Sequence, residues 1–595
     1  MVRINWLRHA KPYRTHSACT PTACGKKLQV GRNCRVETGG KIVHPPVARA
    51  LARASQWVMA RFSGILSASV ILVASLAIAS TYRVFSQTYD EPAHIAAGMQ
   101  WLARGQFTYE AQHPPLARVM AAAGPYIAGE RGAGDFNQYE EGSSILGSGA
   151  HYRKTLALAR LGELPFFLVL CVAVAAWGKR LFGDAGAALS VLFVATNPNL
   201  LAHAGLATLD MAPSAMMVVS LYAYARWVER FRMRDALLLG LALGISAVTK
   251  FSVIAFLGLT ILGAEVWRIW RARKRPVRDQ RDAVPKIFSP GQAILALGVA
   301  AVAIWATYRF SIGRIDPTWR FAVPAPEFFL GLEEFIGHGT TGNLLGRAPS
   351  GHAVFLLGHT SAAGWWFYYP IAILVKTPLP LLIFSGLGIA AVVHGVRQRP
   401  DARAFEAVLP AIGTLAILAL ALRVHVDLGV RLVLPIYPLM ALLAAAGALY
   451  LWNQIPRRTF ARVIAAGLVM SATAIPVVAY PDYLAYFNPF AGSNPDHVLV
   501  DSNLDWGQDL YRLKAASDSI GIDTLNLGYF GSADPRAVGL QNTRLLRAYT
   551  PTRGWVAVSR TLLAGEGVGD ALAWLRAYRP VEQVGPSLLL YHIER

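Results

Sequence analysis

The sequence predicts a mainly α, polytopic membrane fold of about eleven transmembrane helices, ending in a small extracytoplasmic α/β domain. Three observations predict it. Of 595 residues, 54% are hydrophobic and only 15% charged, and the mean hydropathy is +0.38, values of the membrane class and not of soluble globular chains. Apolar runs recur from residue 62 to residue 480, most near the roughly 20 residues that a bilayer-crossing helix needs. Beyond 480 the pattern changes to short apolar or alternating stretches separated by polar turns.

The formal charge of +22 does not point to nucleic acid, because Lys and Arg cluster in short loops between apolar runs, where they set topology. Of the four cysteines, Cys19, Cys24 and Cys34 lie in the N-terminal tail and Cys171 in an apolar run, so no disulfide framework crosses the hydrophilic loops. The three tail cysteines lack a fourth well-spaced partner for zinc. Neither a metal nor a cofactor is expected.

Residues 1–60 are basic, punctuated by Gly and Pro and without sustained periodicity, the signature of a disordered cytoplasmic tail. Met59, just ahead of the first anchor, is an alternative start. The first apolar run, 62–81, has basic residues before it and an Ala77-Ile78-Ala79 pattern near its end, so a cleaved signal peptide competes with the favoured retained span. Further runs follow at 156–177, 186–205, 208–228, 236–270, 290–310, 369–395, 406–423, 431–452 and 460–480. The run 236–270 would be far longer than a hydrocarbon core of about 30 Å if it formed one helix rising about 1.5 Å per residue. Two short spans are expected there, turning at Thr249-Lys250-Phe251. That split puts the basic loops 179–180, 226–234, 268–281, 397–403 and 457–462 all in the cytoplasm. The membrane domain is therefore 61–480, in a plasma (inner) membrane, with the N-terminus inside and the C-terminus outside.

Three hydrophilic segments then face outward: 84–155, 311–368 and 481–595. In the second, Trp365-Trp366-Phe367-Tyr368-Tyr369 reads most simply as an interfacial aromatic belt. The last has strand candidates at 497–500, 524–530, 555–559 and 587–593, with helical patterns at 510–520 and 571–578. It carries no nucleotide loop and is assigned to acceptor handling or structural support. Its Asp501-Ser502-Asn503-Leu504-Asp505-Trp506-Gly507-Gln508-Asp509 is not a calcium loop, since glycine falls at position seven instead of six and Arg512 stands where the bidentate Glu belongs. A turn with Asx caps leading into a helix is the better account.

The first outer loop opens with Tyr89-Asp90-Glu91-Pro92-Ala93-His94 and continues to His113-Pro114-Pro115-Leu116-Ala117-Arg118. Asp-Glu-Pro alone is as well explained as a helix start, because Asp caps, acids suit the first turn and Pro suits it too. Company favours chemistry: His94, His113, Arg118, Arg160, Asp210 and Lys250 all fall at the outer ends of spans or in this loop, and ionisable residues at membrane depth are costly unless used. Arg160 has Glu163 at i+3 as a possible intrahelical partner, which is as good an account as phosphate binding for those two alone. Asp210 opens a span, where capping is again the alternative. Arg423, His425, Asp427 and Arg431 form a short charged outer turn that serves phosphate binding or interface anchoring.

Asp90-Glu91 followed by His113-Pro114-Pro115-Leu116 and Arg118 resembles the first-outer-loop pattern of the protein O-mannosyltransferases, glycosyltransferase family 39 of the GT-C superfamily. The resemblance continues through Arg160, Gly178-Lys179-Arg180-Leu181-Phe182-Gly183, Thr208-Leu209-Asp210 and Thr249-Lys250, which are also similar to the aminoarabinose transferases of lipid A. It covers residues 62–270 well and the rest mainly by span count. It implies transfer of a sugar, with inversion, from a polyprenyl-phosphate donor to a hydroxyl of a protein, lipid or polysaccharide acceptor. It places the catalytic base on Asp90 with Glu91 as its supporting carboxylate, Arg160 and Lys250 near the donor phosphate, and Asp210 in the same pocket; His94, His113, Arg118 and Arg431 complete the substrate-binding set. The segment 311–368 lacks the inserted β-trefoil-like domain of the eukaryotic members, which puts a protein acceptor in doubt. A lipid or sugar transporter is the rival class, since charges near broken spans also build transporter sites. Against it, the halves are not duplicated and the carboxylates gather in one outer loop. A non-catalytic scaffold, the third class, leaves Asp90-Glu91 beside His113-Pro114-Pro115 unexplained.

Overall fold

Helices dominate the computed structural model, which describes residues 36–38, 41–43, 45–134, 137–274, 289–315, 319–336, 353–398, 402–423, 426–454 and 459–594. The chain divides into two units, 1–66 and 67–595. In the first, β1 (Val36–Thr38) pairs antiparallel with β2 (Lys41–Val43), and helix α1 (Pro45–Thr81) begins just after. The cysteines of the expected tail lie outside the described residues.

The larger unit carries, in order, α2 (Glu91–Arg104), α3 (Pro115–Ile127), α4 (Gln138–Leu146), α5 (Gly149–Leu161), α6 (Leu164–Ala195), α7 (Pro198–Ala204), α8 (Met211–Arg230), α9 (Met233–Ala247) and α10 (Ser252–Arg273). There follow α11 (Pro290–Thr307), the strand pair β3 (Ile312–Gly313) and β4 (Val323–Pro324), α12 (Pro326–Glu334), the strand pair β5 (Val354–Leu356) and β6 (His359–Ser361), α13 (Tyr368–Lys376), α14 (Leu379–Gln398), α15 (Ala402–Ala421), α16 (Ile436–Gln454) and α17 (Thr459–Ala479). The long run 236–270 breaks as expected, between α9 and α10 across Val248 to Phe251.

Among the described residues seven helices are long and apolar enough to cross a membrane, or eight if the bent pair at Tyr368–Lys376 and Leu379–Gly395, turned by 113°, is one span. The eleven expected spans are not matched one for one, for local reasons. Gly149–Ala195 counts once, although Gly183, at φ 77° and ψ −167°, breaks α6 between the expected runs 156–177 and 186–205. Helix α9 has only 15 residues, and α8 is diluted by Ser214, Ser220, Tyr222, Tyr224 and Arg226.

Helix α8, with 20 residues, spans about 30 Å, so Asp210 at its start and Arg230 at its end lie at opposite ends of the bundle. At the Arg230 end, Arg180 of α6 donates to Glu229 of α8 (2.6 Å) and Glu406 of α15 (2.7 Å), tying three helices through one guanidinium. The opposite end carries the acidic and histidine-bearing loops.

The C-terminal residues form a five-stranded sheet of order β10-β11-β9-β7-β8, from β7 (Leu525–Gly528), β8 (Thr543–Leu545), β9 (Gly554–Ser559), β10 (Glu582–Val584) and β11 (Leu588–Ile593). Here β7 runs parallel to β8 and β9, while β11 is antiparallel to β9 and β10. Helix α18 (Leu510–Ile520) precedes it. Two expectations are corrected: 497–500 is not a strand, since its start is a 3-10 turn (Pro495–His497), and Gly569–Ala577 is 3-10 instead of α. The short edge strands β8 and β10, which are not expected from the sequence, carry too little alternation to be read there. One continuous core runs from α6, α8 and α16 to Leu499 and Trp506, so the C-terminal chain is packed onto the bundle.

Candidate active site

The site is built on a buried tie. Glu91, fully buried in the first turn of α2, accepts Arg160 Nε at 2.8 Å and Nη2 at 2.8 Å, the Ala207 N–H at 2.8 Å, and the Thr88 N–H at 2.7 Å and Oγ at 3.2 Å. Arg160 also donates Nη1 to the Phe85 carbonyl (2.9 Å) and Nη2 to the Ser86 carbonyl (2.8 Å). A buried ion pair is tolerable only when its other lone pairs and protons are largely satisfied, and here both carboxylate oxygens and all three guanidinium nitrogens have partners. The tie joins the loop before α2, the end of α5 and the loop before α8. Arg160's partner is thus Glu91 and not the expected Glu163, whose carboxylate oxygens have no partner among the described residues.

Asp90 and Asp210 occupy the N-cap positions of α2 and α8, yet neither side chain caps its helix. Asp90 Oδ2 accepts Arg431 Nη1 at 2.7 Å, and Asp210 Oδ1 accepts Lys250 Nζ at 2.7 Å. Both pairs face one cavity of about 310 Å³. Lys250 reaches it because the break between α9 and α10 exposes a helix start there. Asp90 Oδ1 and Arg431 Nη2 have no hydrogen-bond partner among the described residues, and both residues line that space. Phe256, Leu420, Ala421 and Leu432 add apolar lining to the same cavity.

His94 and His113 line the same cavity, their ring centroids 5.9 Å apart, and neither Nδ1 has a partner among the described residues. The two rings meet because α2 lies directly on α3: a Cβ on Gly98 would stand 2.0 Å from the Arg118 carbonyl oxygen. Burial, and next the Arg118 guanidinium, holds both imidazoles well below their ordinary range, so both are neutral at pH 7.

Arg118 does not reach the cavity. It is fully buried and clamps the loop before α3 through the carbonyls of Tyr109 (2.9 Å) and Glu110 (3.0 Å) and the Glu110 carboxylate (2.6 Å). The structure therefore gathers Asp90, His94, His113, Asp210, Lys250 and Arg431 around one space and sets Glu91, Arg160 and Arg118 behind it. Of the charged outer turn, His425 lies outside the described residues, while Asp427 accepts the Trp365 N–H (2.7 Å) and its other oxygen has no partner among the described residues. Burial pushes the Asp427 carboxyl up to about 7.

Sequence reasoning missed other contributors. Tyr369 was assigned to an aromatic belt, but Tyr368 and Tyr369 are both buried and Tyr369 lines the cavity, while only Trp366 of that run is exposed. Its hydroxyl donates to the Val426 carbonyl. His203, on α7, has Nδ1 3.7 Å from Asp210 Oδ2. Trp506 lies under Arg431, whose guanidinium is 4.4 Å from a ring centroid. The only signal was an aromatic residue inside an otherwise polar motif.

Comparison with known proteins adds a family. The structures of ArnT from Cupriavidus metallidurans bound to undecaprenyl phosphate (13% identity, TM-score 0.44, 88% of this chain and 97% of that chain) and of the archaeal oligosaccharyltransferase AglB from Archaeoglobus fulgidus with an inhibitory peptide and a dolichol-phosphate (11%, 0.45, 84% and 70%) are similar. So is the S. cerevisiae protein O-mannosyltransferase Pmt1-Pmt2 complex bound to the sugar donor (14%, 0.32, 51% and 40%). None of the curated proteins matches. A family model described as dolichyl-phosphate-mannose-protein mannosyltransferase matches residues 68–312, a segment that holds every site residue named above up to Lys250. Over that segment the chain is similar to the dolichyl-phosphate-mannose-protein mannosyltransferases, the family that Asp90-Glu91 and His113-Pro114-Pro115 resemble.

Proposed function

We propose that the chain is an inverting glycosyltransferase that moves a sugar from a polyprenyl-phosphate donor to an acceptor hydroxyl at the extracytoplasmic face of the membrane. The observation that carries this reading is the cavity of about 310 Å³, lined by two carboxylates, two cations and two neutral imidazoles together with apolar side chains. Its volume suits a small-molecule site. A lipid-linked phosphate offers the matching chemistry: an apolar tail for the apolar lining and an anion for Lys250 and Arg431.

In this reading Asp90 Oδ1 takes the proton of the acceptor hydroxyl as its oxygen attacks the anomeric carbon, ordinary general-base work. The bond to the phosphate breaks on the opposite face, and the departing polyprenyl phosphate needs little proton donation because its second pKa is about 6. Arg431 Nη2 and Lys250 Nζ stabilise the charge that develops. Glu91 and Arg160 act through Asp90 by fixing the loop that bears it. His94 and His113, neutral, offer one donor and one acceptor each to sugar hydroxyls. The acceptor hydroxyl belongs to a protein, a lipid or a polysaccharide.

The test is to incubate the purified protein with radiolabelled polyprenyl-phosphate sugars and membrane extract and follow label into each fraction. Transfer by wild type and none by Asp90→Asn, with donor binding retained, is expected. Wild-type turnover by Asp90→Asn excludes Asp90 as the base, and no transfer from any donor refutes the reading.

A further inference from the structure

The segment 502–508, outside the family match, holds both members of the Asp90–Arg431 pair. Before Asp90, the Ser86 N–H donates to the Gln508 carbonyl (3.0 Å) and the Tyr89 N–H to the Trp506 carbonyl (3.0 Å). Ser86 Oγ donates to the Gly507 carbonyl at 3.2 Å. On the other side, Asn503 Oδ1 accepts the Val430 N–H (3.1 Å), and Ser502 Oγ donates to the Leu428 carbonyl (2.7 Å). Between these anchors Gly429 adopts φ +88°, and a Cβ there would lie 2.5 Å from Ser502 Oγ, so the turn bearing Arg431 is pressed onto this segment.

Trp506 joins the two sides. Its carbonyl holds the residue before Asp90, and its ring, 1% exposed, carries the Arg431 guanidinium on its face. A planar guanidinium stacked on indole keeps its N–H groups free in the ring's plane. Arg431 uses Nη1 for Asp90 and Nε for the Leu428 carbonyl, and its Nη2 has no hydrogen-bond partner among the described residues. Without the ring, Arg431 would keep Asp90 and the Leu428 carbonyl, to which its Nε donates at 3.2 Å, and its plane could rotate.

We propose that Trp506 is a positioning residue for sugar transfer, setting the plane of Arg431 and, through its carbonyl, the place of Asp90, so that the C-terminal chain is a working part of the active site. This rests on the glycosyltransferase reading and deepens it.

The test compares full-length wild type, Trp506→Phe, Trp506→Leu and Asn503→Ala, each also in an Arg431→Gln background. Phe keeps an aromatic face, Leu keeps apolar bulk only, and Asn503→Ala loosens the turn by removing a buried side chain's bonds to the Val430 N–H, the Tyr368 hydroxyl and the Val500 carbonyl. Expected are a kcat within about threefold of wild type for Trp506→Phe, and a fall of 10- to 100-fold for Trp506→Leu, with a smaller fall for Asn503→Ala and little change in acceptor KM, as misplacement of a charge-stabilising group predicts. With Arg431→Gln already present, neither change lowers kcat further. Phenylglyoxal labelling of Arg431, read by mass spectrometry, should rise in Trp506→Leu and Asn503→Ala. An unchanged kcat in Trp506→Leu, or equal losses with and without Arg431, overturns the proposal. If wild type transfers no sugar, the glycosyltransferase reading falls, and the labelling still reads positioning: no rise in either variant then refutes it too. If Trp506→Leu does not fold, Asn503→Ala carries both readouts.

Discussion

Replacing Glu91 by Gln leaves size and shape nearly constant and removes one charge from the centre of the buried tie. Each carboxylate oxygen accepts several donors: Oε1 takes Arg160 Nε and the Ala207 N–H, and Oε2 takes Arg160 Nη2 with the N–H and hydroxyl of Thr88. An amide offers one oxygen, so whichever way it turns its NH2 faces an N–H of Arg160, and that guanidinium, fully buried, loses its only carboxylate. Breaking a buried pair from one side costs about 3–5 kcal/mol, because the remaining charge stays desolvated. Thermal unfolding of the purified protein in detergent should therefore begin clearly earlier in Glu91→Gln. The double variant Glu91→Gln/Arg160→Met should lose less than the sum of the single variants, since no orphan charge remains. A Glu91→Gln protein that unfolds with wild type, or exact additivity in the double variant, would refute the argument that this pair anchors the loop carrying Asp90.

Lys250→Ala should lower donor turnover about 10²-fold, the scale of losing one charge-stabilising donor, and a change confined to acceptor saturation removes its phosphate role. Burial raises Asp505 to about 7 from its ordinary 3.8, so the folded state binds more protons than the unfolded one between those values, and stability falls as pH rises from about 4 to about 7. Asp505→Asn should flatten that fall in a series of unfolding temperatures, and an unchanged slope counts against it. Arg118→Met should lower thermal stability more than donor affinity, measured by unfolding and equilibrium binding, because its partners are all in the loop before α3. In a cysteine-free background, Lys179→Cys and Asp518→Cys, both at exposed side chains, should react with a membrane-impermeant maleimide from opposite faces; labelling from one face breaks the topology.

What could be read beforehand was what length and local pattern encode. The run 236–270 was too long for one span, and that alone located the break that exposes Lys250. Asp90, Asp210 and the two histidines stood out because charge and imidazole are rare beside apolar runs. Partnerships were not legible. Arg160 had a local i+3 candidate in Glu163, but the actual partner, Glu91, is 69 residues away, and no spacing rule reaches that far. Arg431 and Asp90 are 341 residues apart. Tyr368 and Tyr369 looked like belt residues because burial against Gly429 and Val426 depends on the turn at 426–431, which has no periodicity. The motif at 501–509 read as a turn, since nothing local shows that its backbone pairs with 86–89.

The bond between Ser86 and Gly507 joins positions 421 residues apart, and this has a consequence for biogenesis. Chains emerge from the ribosome N-terminus first, and pairing of distant segments waits for both. The Asp90 loop leaves the ribosome first, and its seat follows 421 residues later. During synthesis the acid lacks the backing that holds it in place, so a nascent or prematurely stopped chain would insert its helices while leaving Asp90 unseated.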